Sequence, residues 1–128
     1  MRKGSRAQLA PDDCGAELPT YDDTVLIGMV GGDVQLVAEI IGEFETALRD
    51  GVDQMTAAFV SGRTHDLALA AHRLKSSART VGAMRLGELC DRLEAAAKGG
   101  PSDSVGRLIG AVTAESEAVV QRFNRPDR

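Results

Sequence analysis

Two histidines, two cysteines and a scatter of carboxylates and cations are the groups of this 128-residue chain that could do covalent or acid–base work. On a helical wheel of about 100° per residue, positions 64–81 gather Leu67, Ala70, Ala71, Leu74, Ala78 and Val81 on one side. That side must face a core. His72 falls nearly opposite, with His65, Lys75, Ser76 and Arg79 around it, and the small residues Ala68 and Ser76 leave its ring accessible. An exposed imidazole with a cation one turn away suits a transferable phosphoryl group. Neutral imidazole is nucleophilic near neutral pH, and Lys75 offsets the charge that the ring acquires.

A second helical stripe of Leu86, Leu89, Cys90, Leu93 and Ala97 follows directly. With a turn centred between Gly82 and Ala83, an antiparallel hairpin sets His72 near Glu94, Lys75 near Asp91 and Arg79 near Gly87. Gly87, Asp91 and Glu94 then form a strip at the edge of the leucine stripe. A carboxylate accepting the Nδ1 hydrogen of His72 would fix the tautomer and leave Nε2 free to attack. Spacing alone reads Glu94 equally well as a solvated helix charge. His65 lies seven residues from His72, about 10 Å along a helix, too far to share a metal ion, and reads as rim or surface. Arg73 and Arg79 are either partner contacts or ordinary solvated cations. Ser77 turns towards the core side, and Cys90 reads as a small packed residue rather than a nucleophile.

The elements that hold these residues follow from the apolar spacing. Residues 1–20, with Gly4, Pro11, Gly15 and Pro19, have no period and read as a flexible leader or linker. Asp23 is the expected cap of a short helix containing Val25, Leu26 and Met29, stopped by Gly31-Gly32. Asp33 caps the next, whose predicted core stripe is Leu36, Val37, Ile40, Ile41, Phe44 and Leu48, with a possible kink at Gly51 before Val52, Met55 and Phe59. Ser61-Gly62-Arg63 is a turn, Thr64 the expected cap of the His72 helix, and Gly82 its left-handed end. Gly99-Gly100-Pro101 separates the fourth stripe from a last one through Val105, Leu108, Ile109, Val112, Val119 and Phe123. No stretch alternates with period two. The expectation is an all-α fold: an antiparallel up-and-down four-helix bundle with a short additional N-terminal helix, spanning 21–124, then a polar tail at 125–128.

Composition narrows the function classes. Aromatics are only 3% of the chain, with no Trp, so the core must be aliphatic, which favours packed helices over a sandwich. Fifteen Lys and Arg against nineteen Asp and Glu, a net charge of −4, argue against a broad basic nucleic-acid face. No apolar run approaches the ~20 residues of a membrane span, and no apolar stretch follows the basic Met1-Arg2-Lys3 start, so no signal peptide is read. Cys14 and Cys90 make no disulfide framework. The expected location is the cytoplasm. There is no Gly-rich phosphate loop that would point to ATP binding, and no carboxylate cluster that reads as a magnesium site.

The run Ala71-His72-Arg73-Leu74-Lys75-Ser76-Ser77, with Val81-Gly82-Ala83, Leu86, Leu89-Cys90 and Leu93-Glu94, closely resembles the histidine-containing phosphotransfer (HPt) domain of bacterial multistep phosphorelays. That family's pattern is Ala-His-x-Leu-Lys-Gly-Ser-Ser, an apolar residue and Gly-Ala, then Leu-x-x-Leu-Cys-x-x-Leu-Glu. The resemblance extends weakly over 21–124. Ser76 departs from it, standing where the pattern most often has Gly.

The resemblance implies a four-helix phosphocarrier without ATP-dependent kinase activity of its own. His72 would take a phosphoryl group from a receiver-domain aspartate and pass it to another. Lys75 matches the basic position facing the phosphoryl group, and Glu94 a position often occupied by a Gln or Glu bonded to the histidine. The implied partners are receiver domains of response regulators and hybrid histidine kinases, which would bring the Mg²⁺ and meet a monomer around Ala68, Arg73, Ser76, Arg79, Gly87 and Asp91. The other class of reading is a non-phosphorylated helical interaction module, against which both His72 and Lys75 are present. Twelve Arg against three Lys, with much Ala and Gly, hint at a GC-rich bacterial genome. The chain reads equally as freestanding or as a domain of a hybrid kinase.

Overall fold

The computed structural model describes residues 18–99 and 102–124. Five helices account for most of them: α1 (Asp23–Val30), α2 (Val34–Val60), α3 (Thr64–Val81), α4 (Met84–Gly99) and α5 (Ser102–Phe123). No strand occurs among the described residues. The expected leader up to residue 17, Cys14 within it, the Gly100-Pro101 break and the 125–128 tail lie outside the described residues.

Short polar punctuation sets the helix ends. Asp22, one residue before the expected cap, accepts from Thr24 N at 3.1 Å and opens α1. Gly31 closes it in the left-handed region, at φ 72°. Asp33 accepts from Leu36 N at 3.1 Å and opens α2. That helix runs through Gly51 without interruption, so the glycine introduces no break. Thr64 is the first residue of α3 and not its cap. Arg63 takes the cap position because its carbonyl already accepts the Leu67 amide at 3.0 Å, and its guanidinium reaches Asp66 at 2.7 Å.

The core is aliphatic, as the scarcity of aromatics requires. Leu26, Leu48, Met55, Leu67, Leu86, Leu93, Leu108, Val112 and Val119 are almost wholly buried. Each of α2, α3 and α4 packs on the next, α5 returns to α2, and α1 lies on α2 and α3. α3 contributes the small residues Ala68, Ala70, Ala71 and Ala78 to the core.

The predicted core stripe of α2 fails at its start. Leu36 is 40% exposed, Val37, Ile40 and Ile41 are only partly covered, and the first buried residue is Phe44. The reason is length. At about 1.5 Å per residue, the 27 residues of α2 outrun the 18 of α3 and 22 of α5. The Phe44 ring meets that of Phe123, the last residue of α5, at 6.0 Å, so the stripe before 44 lies near the end of the neighbouring helices, where Ile40 packs partly on the core. Phe59, near the other end of α2, is likewise 38% exposed rather than core.

The strap before α1 is tied to the turn between α3 and α4. The Asp22 amide donates to the Gly82 carbonyl at 2.8 Å, and Arg85 donates through N and Nε to the Pro19 and Leu18 carbonyls at 3.1 and 3.0 Å. Gly82 has φ 94°, and a Cβ there would strike the Asp22 carbonyl oxygen. The position therefore needs glycine twice over: for its left-handed backbone and for the close passage of the strap.

Candidate functional site

The two-residue connection Gly82-Ala83 fixes the register of α3 against α4. Contacts across the pair run in opposite senses along the two helices. His72 meets Glu94, Lys75 meets Asp91 and Glu94, and Arg79 approaches Glu88. The hairpin pairing expected from spacing is therefore the one observed, and each partner is set by one helical turn.

His72 stands at mid-α3 with its side chain 53% exposed. Its Nδ1 lies 3.2 Å from each oxygen of Glu94. The Glu94 side chain is only 13% exposed and also accepts from Lys75 Nζ at 2.8 Å on Oε1. Lys98 Nζ lies 3.2 Å from its other oxygen, Oε2. The Lys75 hydrogen bond, with smaller help from Lys98 and His72, outweighs the opposing effect of burial and pulls the Glu94 carboxyl down to about 2. Glu94 is thus an anion throughout the physiological range, and an ionised carboxylate only accepts. The contact is a hydrogen bond only when Nδ1 carries the proton. In the neutral ring that leaves the lone pair on Nε2.

Lys75 differs from its expected place on the wet face. Its side chain is 15% exposed, lying between Glu94 and Asp91, the latter at 3.1 Å. Hydrogen bonds to these two carboxylates, Glu94 first, raise its pKa and keep it charged. The wheel placed Lys75 correctly relative to the α3 core face. The carboxylates of α4 then cover it.

The remaining expected residues divide into three places. Ala68 is buried at 6% exposure and lines a cavity of about 380 Å³ beside His72, together with Thr64, His65, Leu69, Ala97 and Lys98. Ser76 is exposed, its carbonyl accepting from Thr80 Oγ1 at 2.9 Å. Arg73 is exposed on a separate hollow between α2 and α3, with Asp50, Gln54 and Ser77. Gly87 is buried under the Arg79 side chain, whose Cγ would lie 2.9 Å from a Cβ at that position. The missing Cβ lets Arg79 lie against α4. Asp91 keeps half of its side chain exposed while holding Lys75.

Lys98 is the site residue that sequence reasoning missed. Its signal was present: a Glu followed four residues later by Lys is the favourable order for a helical ion pair. Cys90 is fully buried, and burial pushes its thiol up to about 12, so it packs as a small apolar residue. Among the described residues no three His, Cys, Asp or Glu side chains converge as a metal site would require. None of the described helices is long and apolar enough to cross a membrane.

A family model described as "Hpt domain" matches residues 39–122. That range includes every residue of the His72–Glu94–Lys75–Asp91–Lys98 cluster. No curated protein and no solved structure matches the chain.

Proposed function

The chain belongs to the Hpt domain family, whose members carry out histidine phosphotransfer in phosphorelays, and we propose that His72 is the residue that carries the phosphoryl group here. The hydrogen-bonded pair of a half-exposed His72 and a nearly buried, ionised Glu94 carries this reading. The pair fixes one ring nitrogen and offers the other to a partner.

In the proposed step, the Nε2 lone pair attacks phosphorus in the aspartyl phosphate of a receiver domain. The N–P bond forms, the acyl-phosphate P–O bond breaks, and the aspartate leaves as a carboxylate with the electron pair. The Nδ1 proton stays on the ring, held by Glu94. A carboxylate held near 2 takes no proton from an imidazolium, so Glu94 orients and neutralises without acting as a general base. Lys75 fixes Glu94 and sets a positive charge one turn from the reacting nitrogen. Transfer to a second receiver is the same step reversed. Phosphoryl transfer needs mainly in-line positioning and charge neutralisation, and the Mg²⁺ comes with the receiver.

On this reading the protein is a phosphocarrier without ATP-dependent kinase activity, working as a monomer in a bacterial cytoplasm. Helices α2–α5 form an antiparallel up-and-down four-helix bundle, to which α1 adds. Receivers of response regulators and hybrid histidine kinases meet it around His72. Ser76, Arg79 and Asp91 lie at the surface there, Ala68 and Gly87 keep that surface low, and Arg73 stands on its α2 side.

The test is transfer from a panel of pre-phosphorylated receiver domains to wild type and to His72→Gln. Acid-labile, base-stable label confined to wild type is the expected result. Label retained by His72→Gln overturns the assignment. Receiver binding without any label in wild type favours a non-phosphorylated interaction module instead.

A further inference from the structure

We propose that Lys98 is a positioning residue for His72, acting through the second oxygen of Glu94. The inference rests on the phosphotransfer reading above but is tested separately from it.

Geometry makes the case. Lys75 holds Glu94 Oε1 at 2.8 Å, while Lys98 reaches Oε2 at 3.2 Å. His72 Nδ1 sits at 3.2 Å from both oxygens, opposite a carboxylate held at each of them. The terminal torsion of a glutamate is soft and broad. A carboxylate gripped at one oxygen alone can swing about that torsion, carrying its other oxygen away from the imidazole. Lys75 holds Oε1 and turns another of its donors to Asp91 at 3.1 Å. Lys98 supplies the second grip, on Oε2.

Its place in the chain keeps it there. Lys98 lies four residues after Glu94, in the last turn of α4. That order and that end of a helix both favour a cation, through the side-chain pair and the helix dipole. Glu94 is its acceptor in the structure, and no described residue competes for it. Its side chain is 66% exposed and lines the cavity beside His72. Removing the ammonium therefore opens no hole in the core, and the effect of doing so reports on Glu94 and His72 rather than on folding.

The experiment compares wild type with Lys98→Gln and Lys98→Arg in the full chain. The imidazole ¹⁵N shifts of His72 are read by NMR. Single-turnover transfer from a phosphorylated receiver is measured across receiver concentration. For Lys98→Gln we expect a larger share of the Nε2–H tautomer. The limiting transfer rate should fall about threefold, the size that one exposed ion pair supports, with the half-saturating receiver concentration unchanged. Lys98→Arg should restore both. An unchanged tautomer ratio in Lys98→Gln overturns the proposal. If the half-saturating concentration moves while the tautomer does not, Lys98 is a docking contact, and positioning is refuted. Should wild type accept no phosphoryl group from any receiver, the phosphotransfer reading fails, while the ¹⁵N shifts still decide whether Lys98 sets the His72 tautomer.

Discussion

Glu94→Ala separates orientation from proton abstraction, because the two roles differ by orders of magnitude. The wild-type contact is a charge-assisted hydrogen bond shared between two oxygens at 3.2 Å, on a ring with its side chain 53% exposed. A hydrogen bond to a charged group is worth about 1.5–3 kcal/mol when well buried. Half exposure and the long, divided geometry bring this to roughly 1–1.4 kcal/mol, a five- to tenfold slowing of transfer. General base catalysis would instead supply about 10²–10⁴. Rapid-quench single-turnover transfer from a saturating phosphorylated receiver measures the difference. A rate within twofold of wild type would return Glu94 to the status of a solvated charge. A loss beyond about a hundredfold would mean that it takes the proton, contrary to the depressed pKa. The same substitution carries a pH signature. The ordinary value is 4.5 and the folded value about 2, so the stability contributed by the ionised Glu94 is complete above the former and lost as pH falls towards the latter. The difference in stability between wild type and Glu94→Ala should therefore be constant at neutral pH and shrink across that acidic window.

Two further substitutions probe the scaffold and the cation. Gly82→Ala forces a side chain into a left-handed backbone at φ 94° and against the Asp22 carbonyl, costing about 1–2 kcal/mol for conformation and about 1 kcal/mol for the displaced Asp22–Gly82 hydrogen bond. Denaturant unfolding should show a loss of roughly 2–3 kcal/mol, and a change under about 0.5 kcal/mol would mean that the strap does not depend on this glycine. Lys75→Ala should lower the transfer rate by a larger factor than Lys98→Gln, because Lys75 makes the shorter contact to Glu94 and lies on α3 itself. The rate should fall by a larger factor than the accompanying loss of stability accounts for, and losses of rate and stability in proportion would mark Lys75 as structural.

Different parts of the molecule were legible for different reasons. The His72–Glu94 and Lys75–Asp91 pairs were readable because a two-residue connection leaves a helical hairpin almost no freedom of register. Glycine at 82 and the apolar stripes on either side of it locate the turn without knowledge of the rest of the fold. The start of α2 was misread for the complementary reason. Periodicity reports which side of a helix is apolar, not whether a neighbour extends far enough to cover it. Leu36, Val37, Ile40 and Ile41 have the right spacing for a core, yet the bundle ends near Phe44 and Phe123. Lys75 shows the same limit: its own wheel puts it in water, and only the second helix brings the two carboxylates over it.

The His72 imidazole is both exposed and well positioned. Exposure on a helix surface ordinarily leaves a side chain free among rotamers, which is poor preparation for in-line transfer. Here the constraint comes from beneath. A nearly buried carboxylate on α4 reaches Nδ1, and the lysines hold that carboxylate in turn. The ring is gripped at its inner nitrogen while much of its surface stays open. Overpacking the core beneath the ring, for instance with Ala71→Leu at a fully buried position of α3, would strain the core and disturb the grip together. Glu94→Ala removes the grip alone, which is why it gives the cleaner measure of what positioning contributes.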